Sequence, residues 1–151
     1  QFEFIQKIRD RIDEAHRAIL QMRDIRKQLN DYCSELTKDP STDSLFLLKA
    51  AIDSSFEAIE NELYQTKSKS GQDPINFPIK LTNKLAHLTA LYEGGSYPPT
   101  DQAEAFRKEV DALIATQLEL FRGLCSNELR QFNRLLREGG FDLIYPRKIK
   151  S

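Results

Sequence analysis

Apolar residues recur at intervals of three and four along the first part of the chain, from Phe4 to Leu36. This spacing is that of one face of an amphipathic α-helix, which turns once in about 3.6 residues. We therefore predict a first helix over residues 2–38. It must end before Asp39-Pro40, because the residue ahead of a proline is pushed out of helical geometry. Its predicted buried face consists of Ile5, Ile8, Ile12, Ala15, Ile19, Met22, Ile25, Leu29, Tyr32 and Leu36.

Two further helices are predicted over residues 43–66 and 77–93, separated by the polar stretch TKSKSGQDP of residues 66–74. Each has a single apolar stripe. The first stripe consists of Leu45, Leu48, Ile52, Phe56, Ile59 and Leu63, and the second of Leu81, Leu85, Leu88 and Tyr92. The sequence YEGGSYPPTDQ, Tyr92 to Gln102, then interrupts the helical pattern. Its glycines stop one helix, its prolines prevent continuation, and Thr100 is expected to cap the next helix.

A fourth helix is predicted over residues 101–138, with two apolar stripes in succession. The first half is expected to bury Phe106, Val110, Leu113, Gln117, Leu120 and Leu124. The second half is expected to bury Phe121, Cys125, Leu129, Phe132 and Leu136, one position round the helix. We attribute the shift to the drift of a straight helix whose sequence breaks a seven-residue register.

Four helices joined by short connections predict an all-α fold, an antiparallel up-down-up-down four-helix bundle. The sequence FDLIYP, Phe141 to Pro146, is predicted to form an extended C-terminal tail. A chain of 151 residues suits a single domain, residues 1–151. Because it opens with Gln1 inside a helical pattern, we interpret it as a fragment of a longer protein.

The charge balance excludes several kinds of partner. The chain carries 22 basic and 23 acidic residues, and the two signs alternate along the first helix. A nucleic-acid surface needs a clustered basic field, so we expect no nucleic-acid partner. No apolar run approaches the roughly 18 residues of a membrane span, so we expect no membrane span either.

Few residues are candidates for catalysis or metal binding. Cys33 and Cys125 are expected to remain unpaired, because the predicted bundle holds them on the order of 30 Å apart. Neither His16 nor His87 has a partner at four-residue spacing, so we expect no metal site. A glycine-rich phosphate loop is also missing from the sequence. We therefore expect no catalytic residue and no cofactor in this segment.

Five residues are candidates for contacts with a ligand or partner: Asn83, His87, Tyr92, Tyr97 and Gln117. Asn83 and Gln117 lie close to apolar stripes, where a buried amide must find a hydrogen bond. The two tyrosines flank the glycine turn and, with Asn83 and His87, could line a small cleft that stacks a sugar ring. In the alternative interpretation, the loop only stops and starts helices, and His87 is partly buried and hydrogen-bonded.

The second half of the chain, from Pro78 to Ile144, resembles the C-terminal helical region of large bacterial proteins with sortilin-like BNR-repeat β-propellers, commonly labelled glycosyl hydrolases. The residues that carry this resemblance are LTNKLAHL (81–88), PPTDQ (98–102) and FNRLLREGGFDLI (132–144). The chain departs from the pattern at YEGG, where a more acidic turn is usual, and at FDLIYP, where a proline-rich ending is usual.

The resemblance implies an exported parent protein, periplasmic or at the cell surface, built as a propeller, an immunoglobulin-like module and then this bundle. Any hydrolase residues would lie in the propeller. The segment would be a non-catalytic accessory or interaction bundle that packs on those domains or associates with itself. We expect the docking strip to include Phe2, Phe4, Phe46 and Leu47. The alternatives are a carbohydrate- or ligand-binding module and a helical adaptor or signalling bundle.

Overall fold

The computed structural model of the chain describes residues 2–64, 80–93 and 98–139. All regular secondary structure in these ranges is helical, and it forms four helices, the last of which continues through a π-helical turn. The predicted all-α, four-helix class is therefore confirmed. The elements are α1 (Phe2–Glu35), α2 (Asp43–Leu63), α3 (Leu81–Tyr92), α4 (Asp101–Leu124), a π-helix (Cys125–Leu129) and α5 (Arg130–Glu138).

The helix bounds differ from the predicted ones mainly at the end of α1, at the end of α2, which stops at Leu63 instead of residue 66, and at the beginning of α3. Helix α1 ends at Glu35, three residues before the predicted end. Helix α3 begins at Leu81, because Lys80 has an extended backbone with φ −91° and ψ 174°. The predicted tail (141–146) and the polar stretch from 66 to 74 lie outside the described residues.

A hydrogen-bonded turn joins α1 to α2. The Asp39 carboxylate accepts hydrogen bonds from the backbone N–H and the hydroxyl of Ser41. These bonds favour the charged form and lower the pKa of Asp39. Thr42 precedes the first residue of α2, and its hydroxyl donates to the Thr37 carbonyl at 2.7 Å. Side-chain hydrogen bonds of Asp39 and Thr42 therefore hold the turn.

The contacts group the chain into two compact units. Unit 1 comprises Gln1–His16 and Ile59–Leu118, and unit 2 comprises Arg17–Ala58 and Glu119–Ser151. The core of unit 1 consists of Phe4, Ile8, Ala15, Ile59, Leu63, Leu81, Leu85, Leu88, Val110, Ile114 and Leu118. The core of unit 2 consists of Ala18, Ile19, Met22, Ile25, Leu29, Cys33, Leu45, Ile52, Phe56, Phe121, Leu129, Phe132 and Leu136.

Helix directions in unit 1 follow from contacts at both ends of α3. At its end, the Tyr92 ring packs edge-on against Phe4 near the start of α1, with ring centroids 5.3 Å apart. At its beginning, the Thr82 hydroxyl donates to the Leu63 carbonyl at 2.7 Å. Tyr64, the next residue, packs against His16, twelve residues further along α1. Helix α3 therefore runs opposite to α1.

Helix α4 runs in the same direction as α1. It starts beside the end of α3, where the Thr100 N–H donates to the Tyr92 hydroxyl at 3.4 Å. Further along, Asp111 pairs with Arg11. The predicted alternation of up and down helices is therefore wrong within unit 1, because it required α3 to run with α1 and α4 to oppose it. Apolar spacing determines which face of a helix is buried, but it carries no information on direction.

In unit 2, α1 and α2 form an antiparallel pair. Arg26 donates to Asp53 at 3.3 Å, and Lys38, just beyond α1, lies over the ring of Phe46 near the start of α2. Phe56 is fully buried and packs edge-on against Phe121, with ring centroids 5.6 Å apart. Such an arrangement matches the quadrupoles of the two rings.

The predicted apolar stripe of α4 is wrong in its first half. Phe106, Leu113 and Leu120, all predicted to be buried, are exposed at 40%, 48% and 52% of their surface. The buried face instead contains Val110, Ile114 and Leu118. Two apolar stripes lie side by side on this helix, and the core of unit 1 covers only one of them.

The second half of the predicted stripe is nearer to the structure. Leu129, Phe132 and Leu136 are buried, and Cys125 is half-buried. Residues Cys125–Leu129 form a π-helical turn, whose hydrogen bonds span one residue more than those of an α-helix. The buried residues Ile114, Leu118 and Phe121 follow one another at intervals of four and three, so the buried face does not shift where a shift was predicted.

Two ion pairs stabilise the α1–α4 side of unit 1. Arg11 donates two hydrogen bonds to Asp111, at 2.7 and 3.1 Å, and both side chains are about three-quarters buried. The hydrogen bond to Asp111 raises the pKa of Arg11. Arg107 is buried and donates to both carboxylate oxygens of Glu104. A two-bonded geometry makes such pairs stronger than single contacts.

Replacing Asp111 with alanine is expected to lower the free energy of unfolding by about 1–3 kcal/mol, because it leaves the largely buried Arg11 side chain without its two-bonded partner. Urea unfolding followed by circular dichroism measures the change. Asp13→Ala, an exposed change on α1, is the matched control and should have almost no effect. Equal effects of the two substitutions would contradict the stabilising role.

The Arg107–Glu104 pair makes stability depend on pH. Arg107 donates to Glu104 and lowers its pKa in the folded chain, so the folded state holds the carboxylate charged more readily than the unfolded state does. The stabilisation is present above the ordinary glutamate pKa of about 4.3. It is lost as the pH falls through the lower folded value.

We therefore expect Glu104→Gln to flatten the dependence of unfolding free energy on pH between about pH 5 and pH 2. Urea unfolding across this range is the measurement, with the exposed Glu109→Gln as control. An unchanged slope in Glu104→Gln would show that the pair does not couple to folding.

Candidate interaction groove between two helices

Unit 1 contains an open groove of about 510 Å³ between α3 and the start of α4, here called the α3–α4 groove. Helix α3 lines it with Lys84, His87, Leu88, Leu91 and Tyr92. The start of α4 lines it with Thr100, Gln102, Ala103 and Phe106. Its volume falls in the range of about 300–1,000 Å³ that is usual for binding sites.

Hydrogen bonds connect the end of α3 to the start of α4 beside the groove. The Thr100 hydroxyl accepts a hydrogen bond from the Ala103 N–H at 3.0 Å, which confirms the predicted N-cap of α4. Tyr92 accepts from the Thr100 N–H through its hydroxyl while its ring packs on Phe4. Next to it, Glu93 accepts from Arg9 at 2.8 Å. The position of α4 relative to α3 at this end therefore depends on Tyr92.

The walls of the groove are apolar and exposed. Leu88 is buried at the floor, but Leu91 exposes 69% of its surface and Phe106 exposes 40%. Leu113, exposed at 48%, follows Phe106 after two helical turns, so it extends the same face along α4 by about 10 Å. Exposed apolar side chains beside a concave surface are typical of an interaction site.

The α3 wall also carries one positive charge, that of Lys84, which no carboxylate among the described residues balances. Lys84 and His87 are exposed, three residues apart, and both line the groove. Lys84 forms no ion pair with the residues that the structure describes. In contrast, Arg9, Arg11 and Arg107 of the same unit each contact a carboxylate. The charge of Lys84 is therefore available to a partner.

The structure brings together two of the five candidate residues, His87 and Tyr92. His87 is exposed, so the expectation of a partly buried histidine is wrong. Asn83 and Gln117 are half-buried and do not line the groove. Tyr97 lies outside the described residues.

Sequence reasoning missed Leu91, Phe106 and Lys84 as groove residues. The pattern predicts Phe106 in the core, and it does not include Leu91 in the α3 stripe. The available signal was the width of the apolar pattern on α4, where Phe106 and Leu113 stand beside a second stripe through Val110 and Ile114. A helix that packs on one side buries only part of its circumference, so the apolar residues of the second stripe remain exposed to solvent.

The expected docking strip is only partly exposed. Phe4 is buried against Tyr92, which removes it from the strip. Phe46 is half-buried beneath Lys38. Phe2 and Leu47 are exposed at 81% and 72%. The exposed apolar surface around the groove is therefore distinct from the strip that sequence reasoning selected.

The two cysteines are free thiols. Burial disfavours the charged thiolate, and it raises the pKa of Cys125 to about 11 and also raises that of Cys33. Both therefore stay protonated at neutral pH. Across residues 2–64, 80–93 and 98–139, no three His, Cys, Asp or Glu side chains are grouped as metal ligands.

None of the helices in the described ranges is both long and apolar enough to cross a membrane.

Comparisons with known proteins give no match: no family model, curated protein or solved structure corresponds to this chain.

At pH 8, Cys125 is expected to react with a disulfide reagent about two orders of magnitude more slowly in the folded chain than in urea, because its raised pKa leaves little thiolate. Cys33→Ala isolates this thiol, and absorbance of the released chromophore follows the reaction. Full reaction of the folded chain within the mixing time would contradict the buried, protonated state.

Proposed function

We propose that the chain is a non-catalytic helical interaction module, an accessory bundle that docks through the α3–α4 groove onto another domain of a larger exported protein. The observation that carries this proposal is the apolar surface of Leu91, Phe106 and Leu113 beside the groove. Other exposed faces of α1 and α4 carry mainly charged and polar side chains.

The free energy gained by burying these side chains supports docking through them. Full burial of a Leu or Phe side chain is worth about 1.5–3 kcal/mol, so three half-exposed side chains represent a few kcal/mol of unused stabilisation. A partner that covers them gains this free energy. Aromatic and aliphatic side chains set in a concave surface also form the usual energetic centre of an interface.

The available chemistry supports binding rather than catalysis as the proposed role. Both thiols are held in their protonated, unreactive form by burial. Three arginines of unit 1 are engaged in ion pairs between or within helices.

The family resemblance supplies the proposed context. It implies a propeller and an immunoglobulin-like module ahead of the bundle, and export to the periplasm or cell surface. The proposed partner is accordingly one of these domains. Sequence upstream of Gln1 that encodes a signal peptide and repeated propeller blades would support this context, and its absence would remove it.

Leu91→Asp and Phe106→Ser are each expected to weaken binding of the 151-residue chain to the remaining domains at least about tenfold, because each removes an apolar anchor. Isothermal titration of the two separately produced parts measures the affinity. Leu47→Ser is the matched control, since Leu47 is as exposed as Leu91 but lies outside the groove. Equal losses for Leu47 and Leu91, or no binding by the unmodified chain, would overturn the proposal.

A further inference from the structure

The shape of the α3–α4 groove suits one kind of occupant, a helix. Its walls are two neighbouring helices that run in opposite directions, because α3 ends where α4 begins. The wall residues follow helical spacing, with Leu88 and Leu91 on one side and Ala103 and Phe106 on the other. An amphipathic helix lays side chains at the same spacing into such a groove.

The length of the exposed apolar surface also fits a helix. Leu113 continues the Phe106 face along α4, about 10 Å beyond it. A small ligand confined to the groove would leave Leu113 uncovered. A helix of a few turns lying along α4 would cover Phe106 and Leu113 together.

The charges on the groove walls indicate which side chains the bound helix carries beside its apolar ridge. On the α3 wall, Lys84 and His87 are exposed, and Lys84 has no carboxylate partner among the described residues. On the α4 wall, the lining residues Thr100, Gln102, Ala103 and Phe106 carry no charge. The groove therefore has a basic side and an uncharged side. We infer that it receives an amphipathic helix whose apolar ridge is flanked, on the side facing α3, by acidic residues.

This inference rests on the proposed docking function and adds the chemistry of the partner segment. Rim charges of this kind chiefly govern orientation, association rate and choice of partner. Apolar contacts with Leu91 and Phe106 supply the affinity. The two contributions can be tested separately.

The test uses two synthetic, fluorescently labelled helical peptides of about five turns. They share one ridge of leucine and phenylalanine, and differ only in carrying glutamate or lysine along one flank. Fluorescence anisotropy with the 151-residue chain gives each affinity. We expect the glutamate peptide to bind about threefold to fivefold more tightly at low salt. The difference should shrink as the ionic strength rises.

Variants of the chain test whether the groove causes this preference for the glutamate peptide. Lys84→Glu is expected to reverse the preference, whereas Lys108→Glu, an exposed change on α4 outside the groove, should leave it intact. Leu91→Asp should weaken both peptides at least about tenfold. Circular dichroism checks that each variant remains folded.

The other outcomes distinguish this inference from the proposed function. Equal binding of both peptides, unchanged by Lys84→Glu but lost in Leu91→Asp, would overturn the charge assignment and leave apolar docking standing. If neither peptide bound but the chain still bound the remaining domains, only the assignment of a helical occupant would be overturned. A concentration-dependent dimer in sedimentation, abolished by Leu91→Asp, would identify a second copy as the occupant and overturn the inference.

Discussion

Burial of one apolar face on each helix is the constraint on which the rest of this structure depends. Helices α1 and α2 satisfy it with a single stripe each, and their stripes are almost wholly enclosed. Helix α4 has apolar side chains on two adjacent stripes. Because unit 1 encloses only the stripe through Val110, Ile114 and Leu118, the neighbouring side chains of Phe106 and Leu113 remain at the surface. These exposed apolar side chains form part of the candidate interaction site.

Much of the fold could be predicted from the sequence, because helix formation depends on local spacing and on a few stop signals. The spacing along α1 and α2 identified Ile8, Ile25, Ile52 and Phe56 as core residues, and the structure buries all four. Thr100 was identified as a cap from its position after two prolines, and its hydroxyl accepts the expected hydrogen bond. Local rules of this kind need no knowledge of the partner helices.

Features that depend on the partners could not be predicted. Nothing in the sequence of α4 says which of its two stripes meets the core, so Phe106 was assigned to the wrong one. The direction of α3 follows from contacts such as Tyr92 with Phe4, which lie far apart in the sequence. The candidate site could be predicted only in part, because it also depends on how the helices pack against one another. His87 and Tyr92 were selected as polar or aromatic residues near a loop, whereas Leu91 could be recognised only once its exposure was known.

Two contacts at the end of the α3–α4 groove determine how this protein tolerates insertions in the connection between the two helices. Glu93 is held by Arg9, and Thr100 is held by Tyr92, so both ends of the connection between the two helices are fixed independently of what joins them. Closing a longer connection costs little entropy, about 0.6 kcal/mol for each doubling of its length. Insertions between these two anchor points should therefore leave the neighbouring helices in place, which makes this the natural position for an epitope or a fluorophore.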